Sequence, residues 1–263
     1  MPHTSYTIDG TRAFGSPSIL VQEHDDLVAQ VPWGANGYTV VPFLEETAHQ
    51  KLLQGLQQLF LDALAQEGIA IPAGFELTQY HHLINGDQTL HLRVINHTKA
   101  IAYEQFPLPA QLLTDRIAAE VGLPLTTLNP NTGENIFHLR VIRPNRPDHN
   151  PLHRDAWLEE LKGSINLYVP VAGSTDQSSL FVVPGSHYWP ESDVERTLAG
   201  AVMNGAKYNV PGLTNTRKPL KLVRPNPGAN QVLIFSPYLI HGGATNLNPD
   251  ATRISLEIRL WRK

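Results

Sequence analysis

Thr252-Arg253-Ile254-Ser255-Leu256-Glu257-Ile258-Arg259-Leu260-Trp261 is the stretch that decides the fold class of this 263-residue chain. Successive side chains of a strand point to opposite sides, so Ile254, Leu256, Ile258 and Leu260 share one face and Arg253, Ser255, Glu257 and Arg259 the other. With the apolar face packed against protein, the polar face has two readings. It is solvated, as on a half-buried antiparallel strand, or it lines an interior cavity. In the second case Arg253 and Ser255 can clamp a carboxylate, the guanidinium bidentately and the hydroxyl from the side.

Upstream the same texture recurs. Asn135–Arg143, Ser164–Val171, Ser179–Val183, Leu220–Arg224 and Gln231–Ser236 are short apolar or alternating segments separated by Pro, Gly and Asn. Leu90–His97 and Tyr38–Phe43 read as additional strands. No helices alternate with the strands after residue 134, which predicts a mainly β domain of sandwich or jelly-roll type, not a parallel α/β sheet. Two helices precede it. One runs from about Glu45 to Glu67 with Leu52, Leu53, Leu56, Leu59, Phe60, Ala63 and Leu64 at 3.6-residue spacing and Gly68 as its stop. The other runs from Pro109 to Val121, with Leu112, Leu113, Ile117 and Val121, and ends at Gly122. The organisation expected is a single domain over residues 1–263, with a β core at about 135–263 and helical and strand support over 1–134. Residues 186–219 show no periodicity, and a segment of that length inside a compact domain is usually a functional lid or disordered. Tyr188, Trp189, Met203 and Tyr208 favour a lid over a substrate.

Composition narrows the chemistry. With 41% hydrophobic and 17% charged residues the chain can bury a core, and 20 basic against 24 acidic residues give a formal charge of −4, which disfavours nucleic-acid and membrane-surface partners. There is no cysteine. Disulfides, thiolate metal sites and cysteine nucleophiles are therefore excluded, and any metal must use His, Asp or Glu. No run of 18 apolar residues occurs, and the first residues lack a basic start followed by an apolar stretch. A cytoplasmic protein is the expectation.

Against that background, His153-Arg154-Asp155 followed by His241 stands out. Two imidazoles and one carboxylate can cap one face of a divalent iron and leave the other face open. An H-x-D pair by itself is weak, since a chain with 12 His yields roughly 0.5 by chance. A second pair, His24 and Asp26, exists here. Context separates them: His153 and Asp155 lie between two strands of the β-rich half, whereas His24 lies in a polar segment before the helices. His241 follows the strand Gln231–Ser236 and precedes Gly242-Gly243, where backbone can approach closely.

Other polar positions are candidates with structural alternatives. Alternation puts His138 and Arg140 on one face of Asn135–Arg143, able to meet an acidic ligand or solvent. Asn166 and Tyr168 alternate on the next strand and can reach a co-substrate, although Tyr168 fits core packing equally. Trp157 is a candidate substrate wall. His81-His82, His91 and His97 form a histidine-rich stretch with no acidic residue nearby in sequence, which argues against a second metal site.

With these residues placed, the chain resembles the iron(II)/2-oxoglutarate-dependent oxygenases, and within them the phytanoyl-CoA dioxygenase family. The resemblance covers roughly residues 135–263. It rests on His153-Arg154-Asp155, Pro184-Gly185-Ser186-His187 closing a strand, His241 and Arg253-Ile254-Ser255. Leu152 stands where the family often has an aromatic residue. The resemblance implies a double-stranded β-helix (a cupin-like jelly roll) with helices outside and His153, Asp155 and His241 as ligands of Fe(II). It also implies that Arg253 and Ser255 hold the distal carboxylate of 2-oxoglutarate; Arg140 and Asn166, placed by strand alternation, are further candidate contacts of that co-substrate. The reaction implied uses O2, decarboxylates 2-oxoglutarate to succinate and CO2, and hydroxylates a C–H of a small molecule. A carboxylate at Asp155 disfavours halogenation, while desaturation, epoxidation and ring formation share the site. Three rivals are a cupin-like metalloenzyme that does not use 2-oxoglutarate, a non-catalytic binding module, and a protein kinase. The last fails because Glu160 stands where its catalytic loop needs Asn and no DFG follows.

Overall fold

A computed structural model describes residues 8–23, 26–146, 148–203, 206–242 and 244–263. The C-terminal strand, Arg253–Arg262, is the spine of the main sheet. It pairs antiparallel with Phe137–Ile142 on one side and Ser164–Ala172 on the other. The sheet continues through Gln231–Phe235 to Tyr38–Pro42, and Leu125–Thr126 pairs with the far end of the spine. A smaller second sheet is built on Phe181–Val182 and His241–Gly242, extended by single bridges from His153 to His241 and from Val182 to Val223. Together the two sheets make a double-stranded β-helix core.

The spine behaves as its alternation requires. Ile254, Leu256, Ile258 and Leu260 join Leu52, Leu56, Phe60, Leu113 and Ile117 from the flanking helices in the largest apolar cluster. Arg253, Glu257 and Arg259 line a cavity of about 460 Å³ between the sheets. Slipping the register by one residue would exchange these faces. Exposing four buried aliphatics would alone cost about 6–12 kcal/mol at 1.5–3 kcal/mol per side chain, so the polar face is committed to the interior.

The helix Glu46–Gln66 buries Leu52, Leu56, Phe60, Ala63 and Leu64, and Gly68 adopts φ +68° just past its end. Ala110–Val121 ends in the same way at Gly122, whose N–H donates to Ala118 O at 2.8 Å. Positive φ suits a residue without Cβ.

Two expectations need correction. Residues 90–97 are not a strand: Gln88–Lys99 is a helix, with the Asp87 side chain accepting from the Leu90 N–H at 2.9 Å as its N-cap. His91, Val94 and Thr98 are its buried stripe, spaced for a helix and hidden by the alternation of Leu90, Leu92 and Val94. Residues 186–219 are not a structureless loop. They contain the strands Val194–Thr197, Ala201–Met203, Ala206–Tyr208 and Leu213–Thr216, each too short to show a period. The segment is anchored by a buried ion pair between Arg154 and Glu191. Of the expected strand Leu220–Arg224, only the bridge at Val223 forms. His24 and Gly243 lie outside the described residues. Asp26 is buried as a structural acceptor, taking hydrogen bonds from Ser236 Oγ at 3.0 Å and from the Val28 N–H at 3.2 Å.

Candidate active site

The two sheets bring His153, Asp155 and His241 together. Their ligand atoms lie within 4.8 Å of one another and all three residues are buried. His153 and His241 exchange both backbone hydrogen bonds, each 2.9 Å. A pair of cross-strand neighbours presents its side chains on the same side, and the rings lie 4.4 Å apart. Asp155 opens a 3₁₀ turn, Asp155–Trp157, and sets Oδ1 3.2 Å from His153 Nε2 and 3.8 Å from His241 Nε2.

Each imidazole is oriented by a backbone carbonyl two residues before it. His153 Nδ1 lies 2.7 Å from Pro151 O and His241 Nδ1 lies 2.9 Å from Leu239 O. A carbonyl only accepts, so Nδ1 carries the proton on both rings and the Nε2 lone pairs are left to face Oδ1. That is the tautomer a metal needs. Burial, reinforced by the neighbouring His153 and opposed by Asp155, lowers the pKa of His241 to about 4, which keeps its ring neutral. Burial also pushes the Asp155 carboxyl up, but the Arg259 guanidinium outweighs it and holds it well below the usual carboxylate range. Arg259 binds only Oδ2, through Nε at 3.0 Å and Nη2 at 2.8 Å, so Oδ1 stays available. Gly242 completes the cradle: at φ +101°, a Cβ there would lie 2.8 Å from Pro151 O and 3.1 Å from His153 Nδ1. Two imidazole Nε2 atoms and one carboxylate oxygen suit a ferrous ion.

Arg253 is 3% exposed and, among the described residues, faces no carboxylate within salt-bridge distance. Its Nε is buried without a partner, and Nη1 reaches Ser255 Oγ only at 3.5 Å. The guanidinium lies 5.5 Å from the Tyr168 ring. A buried cation left this way is costly, and a carboxylate entering the cavity would relieve it. Asn166 also lines the cavity, and its Nδ2 is buried without a partner. The residues thus fit 2-oxoglutarate as well as iron.

The remaining expected residues divide. His138 and Arg140 line the cavity, with Arg140 held by Glu257 at 3.1 Å and by Asn150 at 3.2 Å. Ser255 touches Arg253 and is fully buried outside the lining. Tyr168 does not line the cavity: its ring backs Arg253 and its hydroxyl pairs with Ser174 Oγ at 2.8 Å. Nor does Trp157 line it. Its indole N–H donates to Glu191 at 2.9 Å and Arg196 stacks on its ring, which turns it towards the second apolar cluster. From residues 186–219, Lys207 and Tyr208 reach the cavity, whereas Tyr188 and Trp189 do not line it.

Sequence reasoning missed three contributors. Arg259 was visible on the polar face, but its register opposite Asn166, beside Asp155, was not. The cavity wall from the helix Gln88–Lys99 was hidden by the strand assignment. Asp250, far along the chain, comes within 2.9 Å of both His81 and His82. That trio is a second possible ligand set among the described residues, lying at the surface and away from the cavity.

The sequence model of the phytanoyl-CoA dioxygenase (PhyH) family matches residues 33–255. The chain belongs to that family. It is accordingly an enzyme of the iron/2-oxoglutarate-dependent oxygenase class, with iron and 2-oxoglutarate as cofactors. AviO1 from Streptomyces viridochromogenes Tue57 shares its fold at a TM-score of 0.53 and 18% identity, over 86% of this chain and 90% of that one. EctD from S. alaskensis, determined with 2-oxoglutarate and 5-hydroxyectoine, does so at 0.51 and 13% identity, over 98% and 86%. No curated protein matches the chain by sequence. No helix among the described residues is long and apolar enough to cross a membrane.

Proposed function

We propose that this enzyme hydroxylates an unactivated C–H bond of a small molecule, coupled to decarboxylation of 2-oxoglutarate to succinate and CO2. His153 Nε2, Asp155 Oδ1 and His241 Nε2 are the iron ligands, and Arg253 anchors the far carboxylate of 2-oxoglutarate, with Asn166 nearby. The observation that carries the reading is the pairing of that triad, in one cavity, with a buried arginine whose Nε has no hydrogen-bond partner among the described residues. When bound, iron and 2-oxoglutarate supply the oxidising power from dioxygen that no side chain of this protein has.

The chain's own residues do the rest. Pro151 O and Leu239 O fix the tautomers, and Arg259 fixes which carboxylate oxygen faces the metal. Arg253 sets the direction of the co-substrate. Residues 207–210, with the helix Gln88–Lys99, wall the cavity. A carboxylate at Asp155 occupies the coordination place a halide would need, which favours hydroxylation over halogenation. The small-molecule assignment is supported by the size of the cavity and by a chain of net charge −4.

The test is anaerobic reconstitution with iron(II), titration of 2-oxoglutarate against the iron spectrum, and then release of succinate on admitting oxygen with a panel of small molecules. Asp155→Ala should abolish succinate formation. Iron binding with a spectrum indifferent to 2-oxoglutarate would instead favour a metalloenzyme that does not use it.

A further inference from the structure

Charge in the cavity does not balance. Five cations line it: Lys99, Arg140, Lys207, Arg253 and Arg259. Three carboxylates oppose them: Asp148, Asp155 and Glu257. Asp148 is already neutralised from outside the lining by Arg143 at 2.8 Å. A ferrous ion and 2-oxoglutarate bring two positive and two negative charges, so loading the enzyme leaves the surplus of cations unchanged. Since the chain as a whole carries −4, this surplus is local.

The surplus can be placed. Arg259 is committed to Asp155 and Arg253 to the co-substrate. What remains is Lys99 on the helix Gln88–Lys99, Lys207 on the strand Ala206–Tyr208, and Arg140 opposite them in the main sheet, with Glu257 as its partner at 3.1 Å. Lys99 and Lys207 are exposed, and among the described residues neither has an acidic partner within salt-bridge distance. Beside them His138 also lines the cavity, its Nδ1 buried without a hydrogen bond. Partial burial and, behind it, the Arg140 guanidinium lower the Lys99 pKa. A lysine in the last turn of a helix ordinarily answers the helix dipole. That explanation does not extend to Lys207, on a separate element, or to the unpaired His138.

We propose that the substrate carries an anionic group, a carboxylate or a phosphate, that is seated by Lys99, Lys207 and Arg140 with His138 completing its hydrogen bonds. The proposal rests on the oxygenase reading above and deepens it by naming the substrate class. The anion would be held at the end of the cavity walled by the helix and residues 207–210, leaving the rest of the molecule to extend towards the metal.

The probes are benzoate and phenyl phosphate, with uncharged benzamide as the reference. They are titrated calorimetrically into anaerobic, iron-loaded protein, first alone and then with saturating 2-oxoglutarate. Both anions, or one of them, should bind at least about tenfold more tightly than benzamide, and whichever does identifies the carboxylate or phosphate preference. Lys99→Gln and Lys207→Gln should each reduce that preference about two- to fivefold, in line with exposed charge pairs, and the double variant should remove it. Affinity for 2-oxoglutarate, titrated in the same samples, should not change. Equal binding of all three probes, or an undiminished anion preference in the folded double variant, overturns the proposal. If 2-oxoglutarate fails to bind while a Lys99-dependent anion preference persists, the oxygenase reading falls and the anion site stands.

Discussion

Arg253→Met removes a guanidinium that is 3% exposed and has an unpartnered Nε, and puts an apolar side chain of similar length in its place. Two energies of opposite sign follow. In the protein without co-substrate, the wild-type cation is buried, with a long contact to Ser255, the face of Tyr168 and the more distant Glu257 carboxylate to offset lost hydration. Replacing such a charge with a packed apolar group is neutral or stabilising, by up to about 1–4 kcal/mol in comparable cases. With 2-oxoglutarate bound, the same change leaves a carboxylate buried without its counter-charge, at a cost of about 3–5 kcal/mol. At 1.4 kcal/mol per decade that is a loss of affinity of about 100- to 5,000-fold. The assays are calorimetric titration of 2-oxoglutarate into anaerobic iron-loaded protein, and thermal unfolding without it. The variant should keep or raise its Tm while its Kd for 2-oxoglutarate rises by at least two decades. A Kd within about threefold of wild type would refute the reasoning. So would a Tm lowered by several degrees, since about 2–4 °C corresponds to 1 kcal/mol in a domain of this size.

Arg259→Leu frees Asp155 Oδ2 and lets the carboxylate rotate, so iron affinity should fall about 10- to 100-fold; unchanged iron loading by competition with a chelator would contradict the clamp. Gly242→Ala places a methyl group 3.1 Å from His153 Nδ1 in a backbone conformation L-residues rarely adopt, so it should cost iron binding more than global stability, as read by metal content against Tm. Acidification should destabilise the fold. His91 and His187 are buried, and burial lowers the pKa of each to about 4 against an ordinary 6.5. Between those values the unfolded chain takes up protons that the folded one refuses, so stability is full above about pH 6.5, falls as pH drops towards 4, and levels below it. Each ring contributes on the order of 3 kcal/mol to that fall, and a urea midpoint that stays flat from pH 7 to pH 4.5 would remove the assignment.

The parts legible in sequence were those with a period long enough to repeat. Glu46–Gln66 spans several turns, and the C-terminal strand shows four apolar residues in alternation, so its buried polar face could be read before any geometry was known. The helix Gln88–Lys99 failed because Leu90, Leu92 and Val94 imitate a strand, while the residues that decide it, His91, Val94 and Thr98, include two polar ones. The strands within 186–219 are three or four residues long, below one usable period. In the site, His153, Asp155, His241 and Arg253 carried unusual chemistry in their residue types and spacing. Trp157 carried none, and whether it faced the cavity or Glu191 depended on a turn that the sequence does not encode visibly. Arg259 and Lys99 needed register and helix phase, which exist only after pairing.

His153 and His241, 88 positions apart in the chain, donate their amide protons to each other's carbonyls. An ion held by both side chains therefore closes a loop that contains all of residues 186–219, and it does so at the point where that loop is already zipped. Occupancy and the ordering of the whole excursion become one equilibrium. Deuterium uptake at these two amides should slow together on iron loading, and the strands between them should gain protection although none of them touches the metal.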